Sequence, residues 1–292
     1  MKPNRILTAL GLVFSLALPA RAALLVEEPL AYPVGSNLVG QLAPNGNVWS
    51  NQAANPLDAV IVSGSLSYSG LAASSGNALA LGGIGDDPIL MFAGRTNGTI
   101  YYSFLLQITN LGSLTAADSS AKRIAGFTRT DGISTTFDNT YARLGSTTSN
   151  FNLGLGFGTS ANGGWGGDLA LHTTHLVVGS YTIKSGAAND EVRLWINPSS
   201  LGGAEPAHTL QFTNYSGAGP SDVGINTGQG IGRFYLFQPT TVADAPGGWI
   251  FDELRVGTTW ADVTPTAVVP EPSAGLLLLL SGALVAARFR RA

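Results

Sequence analysis

The sequence predicts an all-β sandwich, and three observations carry that expectation. Apolar residues alternate with polar ones over many short stretches. Turn-forming pairs separate those stretches, among them Asn97-Gly98, Asp131-Gly132, Asn162-Gly163-Gly164, Asn197-Pro198 and Pro246-Gly247-Gly248. Helical periodicity is nearly absent between the two terminal segments, so no crossover helices are available for a parallel sheet.

The clearest strand runs from Thr99 to Ile108, with Ile100, Tyr102, Phe104, Leu106 and Ile108 on one face and Thr99, Tyr101, Ser103 and Gln107 mostly on the other. Phe151 to Gly158 sets Phe151, Leu153, Leu155 and Phe157 against Asn152 and three glycines. Glu191 to Asn197, Ile231 to Gln238 and Trp249 to Gly257 repeat the pattern. Weaker runs occupy 57–62, 124–129, 176–183 and 208–213. The segment 111–121 reads as a polar connection with room for a helical turn. There is no strict internal repeat.

The ends of the chain are different. Lys2 and Arg5, the apolar stretch Ile6 to Leu18 and Ala20-Arg21-Ala22 read as a signal peptide over residues 1–22, with cleavage marked by Ala20, Ala22 and Ala23. At the other end, Val269-Pro270-Glu271-Pro272 precedes an apolar run over 274–287 and then Arg288, Arg290 and Arg291. As a helix that run reaches only about 20 Å, short of a bilayer core of about 30 Å. The arginines place the C-terminus in the cytoplasm and the body outside. Residues 23–263 are then the domain and 264–268 a stiff linker.

The tail resembles the PEP-CTERM sorting signal of exported bacterial proteins. That resemblance implies recognition of Val269, Pro270, Glu271, Pro272 and the terminal arginines by an exosortase, after passage through the export machinery. It also implies at least transient membrane attachment, then residence at the cell surface or in an exopolysaccharide-rich matrix or biofilm. An ordinary membrane anchor is the alternative.

The remaining body of about 245 residues carries nine basic and seventeen acidic residues, a net charge of −8. An acidic balance of that kind disfavours nucleic acid as a partner. There is no cysteine, which excludes disulfides and thiolate metal sites.

A second resemblance covers this body. Leu25 to Gly35 followed by Trp49, the run 102–106, Leu194 to Pro198 and Phe251 to Gly257 resemble the concanavalin A-like, laminin G-like jelly-roll domains. That fold family implies lectins, laminin G modules, glycosidases or polysaccharide lyases, so function has to come from a site.

Direct signatures of catalysis are scarce. The E-x-D-x-x-E arrangement of a retaining glycosidase of this fold is absent. Asp252 and Glu253 are neighbours and point to opposite faces of a strand. Asp252 shares the apolar face of Ile250, Leu254 and Val256, which suits an internal network, and Glu253 faces Arg255 as a surface ion pair. The string 251–255 also resembles the arginine-glutamate strand of an alginate-lyase family, without its leading arginine and without a Gln-x-His or catalytic-tyrosine block. His172 and His175 enter a strand, where an i, i+3 spacing diverges. No G-x-S-x-G elbow or P-loop occurs.

These absences predict a non-catalytic body that binds glycan or exopolysaccharide. The alternatives are a polysaccharide-active hydrolase or lyase, and a purely structural matrix component. Glycan recognition needs an aromatic platform, for which Trp165, Trp195 and Tyr101 are candidates. Trp165 in its glycine-rich loop reads equally as a plug for one end of the sandwich. Asp86, Asp87, Asp190 and Glu191 beside turns are candidates for a structural Ca²⁺.

Overall fold

The computed structural model describes residues 24–52, 59–116, 122–130, 136–157, 161–186, 188–213, 230–238 and 246–267. The signal-peptide residues Ala20, Ala22 and Ala23 and the sorting motif with the 274–287 helix lie outside the described residues.

The strands in chain order are β1 (Val26–Glu28), β2 (Ser50–Asn51), β3 (Val60–Val62), β4 (Ala78–Leu81), β5 (Pro88–Arg95), β6 (Gly98–Asn110), β7 (Lys122–Arg129), β8 (Thr136–Leu144), β9 (Asn150–Gly156), β10 (Leu169–Ala170), β11 (His175–Ile183), β12 (Glu191–Ile196), β13 (Leu210–Thr213), β14 (Ile231–Leu236) and β15 (Gly248–Gly257), followed by the short helix α1 (Trp260–Val263). They form two antiparallel sheets. The first has the order β13-β12-β11-β6-β15-β4-β3, with β1 also on β15, and the second has β10-β9-β8-β7-β14-β5-β2. The all-β sandwich is therefore correct.

Alternation explains the core. Ile100, Tyr102, Phe104, Leu106 and Ile108 of β6 all point between the sheets, as do Phe151, Leu153 and Leu155 of β9. Aromatic rings join the two layers edge to face. Tyr102 and Phe127 lie 4.8 Å apart between centroids, and Tyr102 and Phe234 5.4 Å apart.

The first sheet is covered on its outer side too. Leu105, Leu176, Val178 and Trp195 meet Leu71, Trp260 and Val263 in a second apolar cluster. Helix α1 delivers that cover: Thr259 and Asp262 cap its start reciprocally, and the i, i+3 spacing puts Trp260 and Val263 on one side. The chain then stays docked. Thr264 is buried and donates to Trp260 O, and Ala72 N donates to Pro265 O at 2.7 Å. Residues 264–267 thus belong to the folded body rather than to a linker.

One expectation is overturned by a bulge. Glu253 takes a left-handed φ of 51°, and the β15–β6 register shifts between Asp252 and Arg255. Asp252 consequently shares the outer face with Leu105, opposite Leu254 and Val256, which point into the core. Its oxygens accept from Leu66 N and Glu253 N at 2.7 and 2.8 Å. Arg255 pairs with Glu27 at 2.5 Å instead of with Glu253, whose Oε1 accepts from Ser75 N.

Candidate functional site

Covering the outer face of the first sheet leaves the outer face of the second to be explained. On β8, Thr140, Ala142 and Leu144 turn inward, so Asn139, Tyr141 and Arg143 turn outward. The ladder registers carry that face across the sheet in rows. Trp165, Gly154, Tyr141 and Arg123 are successive partners in one row. Gly156, Asn139, Gly126, Tyr235 and Ile89 form the next, and Thr128, Arg233 and Met91 the one beyond.

The side chains within these rows interact. Tyr235 OH donates to Asn139 Oδ1 across Gly126. A side chain at Gly126 would meet the Asp138 carbonyl at 1.8 Å, so only glycine permits that crossing. The Arg123 guanidinium lies 4.5 Å over the Phe237 ring and that of Arg143 lies 4.3 Å over Trp165. Asn139, Tyr141 and Tyr235 are buried although they point away from the core. Burial pushes the Tyr141 phenol up, and Arg123 in the facing register position draws it partly back.

Charge segregates sharply between the sheets. Arg95, Lys122, Arg123, Arg129, Arg143 and Arg233 lie on strands of the second sheet. Of the other three cations among the described residues, Lys184 and Arg193 pair with Glu191, Arg193 also with Glu205, and Arg255 with Glu27. Among the six on the second sheet, Arg123, Arg143 and Arg233 stand in the outward rows and make that face cation-rich, whereas Lys122, Arg95 and Arg129 share register with the inward Ala142 and Ile231.

The acidic candidates have structural partners. Asp87 Oδ1 accepts from Gln238 N at 2.8 Å and Asp86 Oδ1 from Asn51 Nδ2 at 2.6 Å. Burial raises Asp87 to about 6 against the lowering effects of the Gln238 N–H and of the positive charge of Arg123. Asp190 accepts from Tyr181 OH and Lys184 N, and Glu191 binds Lys184, Arg193 and Gln211. Asp86 and Asp87 thus lie by the second sheet and Asp190 and Glu191 by the first. Among the described residues no group of three His, Asp or Glu side chains is placed to hold a metal ion.

The aromatic candidates part company. Trp195 is buried against Trp260, 5.1 Å away, and donates to Pro206 O. Tyr101 donates to Glu205 Oε2 and packs on Trp195 and Trp260. Both point outward as alternation requires, but under the second apolar cluster, which removes them as glycan platforms. Trp165 alone stands on the cation-rich face. His175, at the start of β11, contacts Ala170 O and Asn197, a satisfied structural histidine.

No family model matches the chain, and no curated protein matches it by sequence. Among solved structures it is similar to the alginate lyase Aly36B, at 12% identity and a TM-score of 0.50 over 86% of this chain and 100% of that one. A Trypanosoma rangeli sialidase in complex with 2,3-difluorosialic acid is 14% identical, at a TM-score of 0.39 over 80% of this chain and 35% of the sialidase.

At such identities the likeness is one of fold. It nevertheless corrects the expectation of a non-catalytic body. That expectation rested on the missing glycosidase carboxylates, and a carbohydrate-active enzyme without this chain's sequence occupies the same sandwich end to end. The string 251–255 lies on β15 in the first sheet and has no part in the cation-rich face. Sequence reading missed β8, which supplies Asn139, Tyr141 and Arg143.

Proposed function

We propose that the protein is an exported polysaccharide-active enzyme of jelly-roll, concanavalin A-like fold, a lyase acting on an acidic polysaccharide. The observation that carries this reading is the register of Arg123 against Tyr141 on the buried outer face of the second sheet, beside the Tyr235–Asn139 pair. A uronate lyase needs a cation to offset the sugar carboxylate while the proton on the adjacent ring carbon is removed, and a proton donor for the leaving glycosidic oxygen. Arg123 suits the first role. Tyr141, a phenol kept protonated by burial, suits the second. The ring proton passes to the Tyr141 oxygen as the phenolic proton passes to the leaving glycosidic oxygen: the bond between the ring carbon and that oxygen breaks, a carbon–carbon double bond forms, the phenol is regenerated and no water is consumed.

A hydrolase reading has less support. It requires two carboxyl groups about 5 to 9.5 Å apart flanking the bond, and the described carboxylates near this face are held by their own neighbours: Asp86 and Asp87, adjacent in sequence, by Asn51 and Gln238, and Asp168, at the β9 end, by Ser146, Asn150 and Asn152. Incubation with a panel of acidic and neutral polysaccharides, followed by size-exclusion chromatography, tests the proposal. Shortening of acidic chains only is the expected outcome, and shortening of none counts against it.

The address of the enzyme rests on sequence: the signal peptide over 1–22 and the PEP-CTERM-like tail over 269–292 support export, sorting by an exosortase and action at the cell surface or in the matrix. Substituting Pro270 and Pro272 by alanine is expected to leave unprocessed chain in the membrane fraction. Unchanged processing would argue for an ordinary anchor.

A further inference from the structure

The Trp165 side chain sits at the β9 end of the row that holds Tyr141, and Arg143 stands one row further along β8. The Trp165 ring covers Gly154: ring carbons lie 2.7 Å from where a Cβ at that position would stand. Its other neighbour is the Arg143 guanidinium, 4.3 Å from the ring centroid. Stacking of this kind fixes the plane of an arginine. From the other side, Arg143 Nε donates to Asn152 Oδ1 at 3.3 Å, and Asn152 Nδ2 donates to Asp168 Oδ1 at 2.8 Å.

Asp168 is itself held by Ser146, whose N donates at 3.0 Å and whose hydroxyl donates to Oδ2, and by Asn150 Nδ2 at 3.3 Å. Its carboxylate therefore acts on Asn152, orienting the amide so that its oxygen meets Arg143. The Trp165 Nε1–H is shielded and has no acceptor among the described residues, a donor that a ligand oxygen would satisfy.

We infer that Arg143 and Trp165 form a subsite for a carboxylate-bearing sugar unit, flanking the Arg123–Tyr141 centre, with Asn152 and Asp168 as positioning residues. Trp165 is the seat of the guanidinium rather than a bare stacking platform. Arg143 reads the charge: its Nε is turned to Asn152 and its Nη1 to the Ala116 carbonyl at 3.5 Å, and an approaching carboxylate meets a guanidinium already fixed in plane. The inference rests on the acidic-polysaccharide reading for its ligand class, but its readout is binding rather than turnover.

The test is titration of the protein with oligouronates and with the same oligosaccharides after carboxyl reduction, followed by calorimetry and tryptophan fluorescence. The wild type is expected to bind the acidic form, with quenching of Trp165. Arg143→Ala is expected to weaken that binding by about 10- to 100-fold, as for loss of one charge-assisted contact. Arg143→Lys restores little of it, because an ammonium lacks that fixed plane.

Asp168→Asn and Trp165→Phe give intermediate losses that appear in KM and leave kcat unchanged, a split that general loosening of the fold would not produce. Equal binding of acidic and reduced ligands, no binding of either, or unchanged affinity in both Arg143 variants overturns the subsite. Arg143-dependent binding with no cleavage by any variant would leave the subsite standing and remove the enzymatic reading. Cleavage with an unchanged KM in Arg143→Ala would do the reverse.

Discussion

Tyr141 and Arg123 occupy facing positions in adjacent strands of the second sheet, both turned away from the core. Their pairing is the centre of the proposed chemistry, because it puts a buried phenol beside a cation on a face that also holds Asn139 and Tyr235. Tyr141→Phe removes only an oxygen, so packing is retained. We expect kcat on an acidic polysaccharide to fall by about 10²- to 10⁴-fold, the usual share of a general acid or base, with a thermal midpoint close to that of the wild type. Steady-state kinetics beside a melting curve checks it.

The Glu28 carboxylate binds the start of the chain to the core. It accepts from Leu30 N at 2.8 Å, Tyr32 OH at 2.6 Å and Trp49 Nε1 at 3.0 Å while almost fully buried. Glu28→Ala strands three donors, and we expect a loss of about 2–4 kcal/mol in urea unfolding, since each unmet buried partner costs about 1–3 kcal/mol and part of that is recovered by water.

Stability is expected to fall as pH rises from about 4 to about 8. Burial raises Asp252 to about 8 and Asp87 to about 6, and lifts Glu253 as well. A carboxyl whose folded pKa lies above its unfolded value contributes fully below the unfolded pKa, and that contribution is lost as pH climbs to the folded pKa. Each group adds a slope of at most about 1.4 kcal/mol per pH unit inside its own window, so the decline is steepest between about 4 and 6. Thermal midpoints measured across this range check it. A midpoint that rises with pH would contradict the assignment.

Gly154→Ala tests the seat of Trp165. A methyl group there would collide with the indole ring, so we expect altered tryptophan fluorescence and weaker oligouronate binding. The β-sheet signal in circular dichroism is expected to stay as in the wild type.

Much of the fold could be read directly from alternation. The strands β6, β9, β12, β14 and β15 emerge because one face of each is apolar, and the weaker runs correspond to β3, β7, β11 and β13. Strand β8 is hidden for a physical reason: its inward positions include Asp138, Thr140 and Ala142, which are polar or small, while the large Tyr141 faces out. Period two then carries no hydropathy signal. Strand β5 is hidden by the opposite cause, a continuous apolar run from Ile89 to Phe92.

That gap in β8 is why the site was illegible, since Asn139, Tyr141 and Arg143 all lie on it. The bulge at Glu253 could not be foreseen either, because a left-handed glutamate has no composition cue. Outward alternation of Trp195 and Tyr101 was readable, but their cover comes from residues 66–71 and 260–263, distant in sequence.

The central claim is β-elimination on an acidic polysaccharide, and its most direct measurement is ultraviolet absorbance of the purified protein acting on a polyuronate. The account predicts a steady rise from the new ring double bond, abolished or nearly so by Tyr141→Phe and absent with carboxyl-reduced substrate. Release of reducing ends without that absorbance, or a rise that Tyr141→Phe leaves untouched, would contradict it.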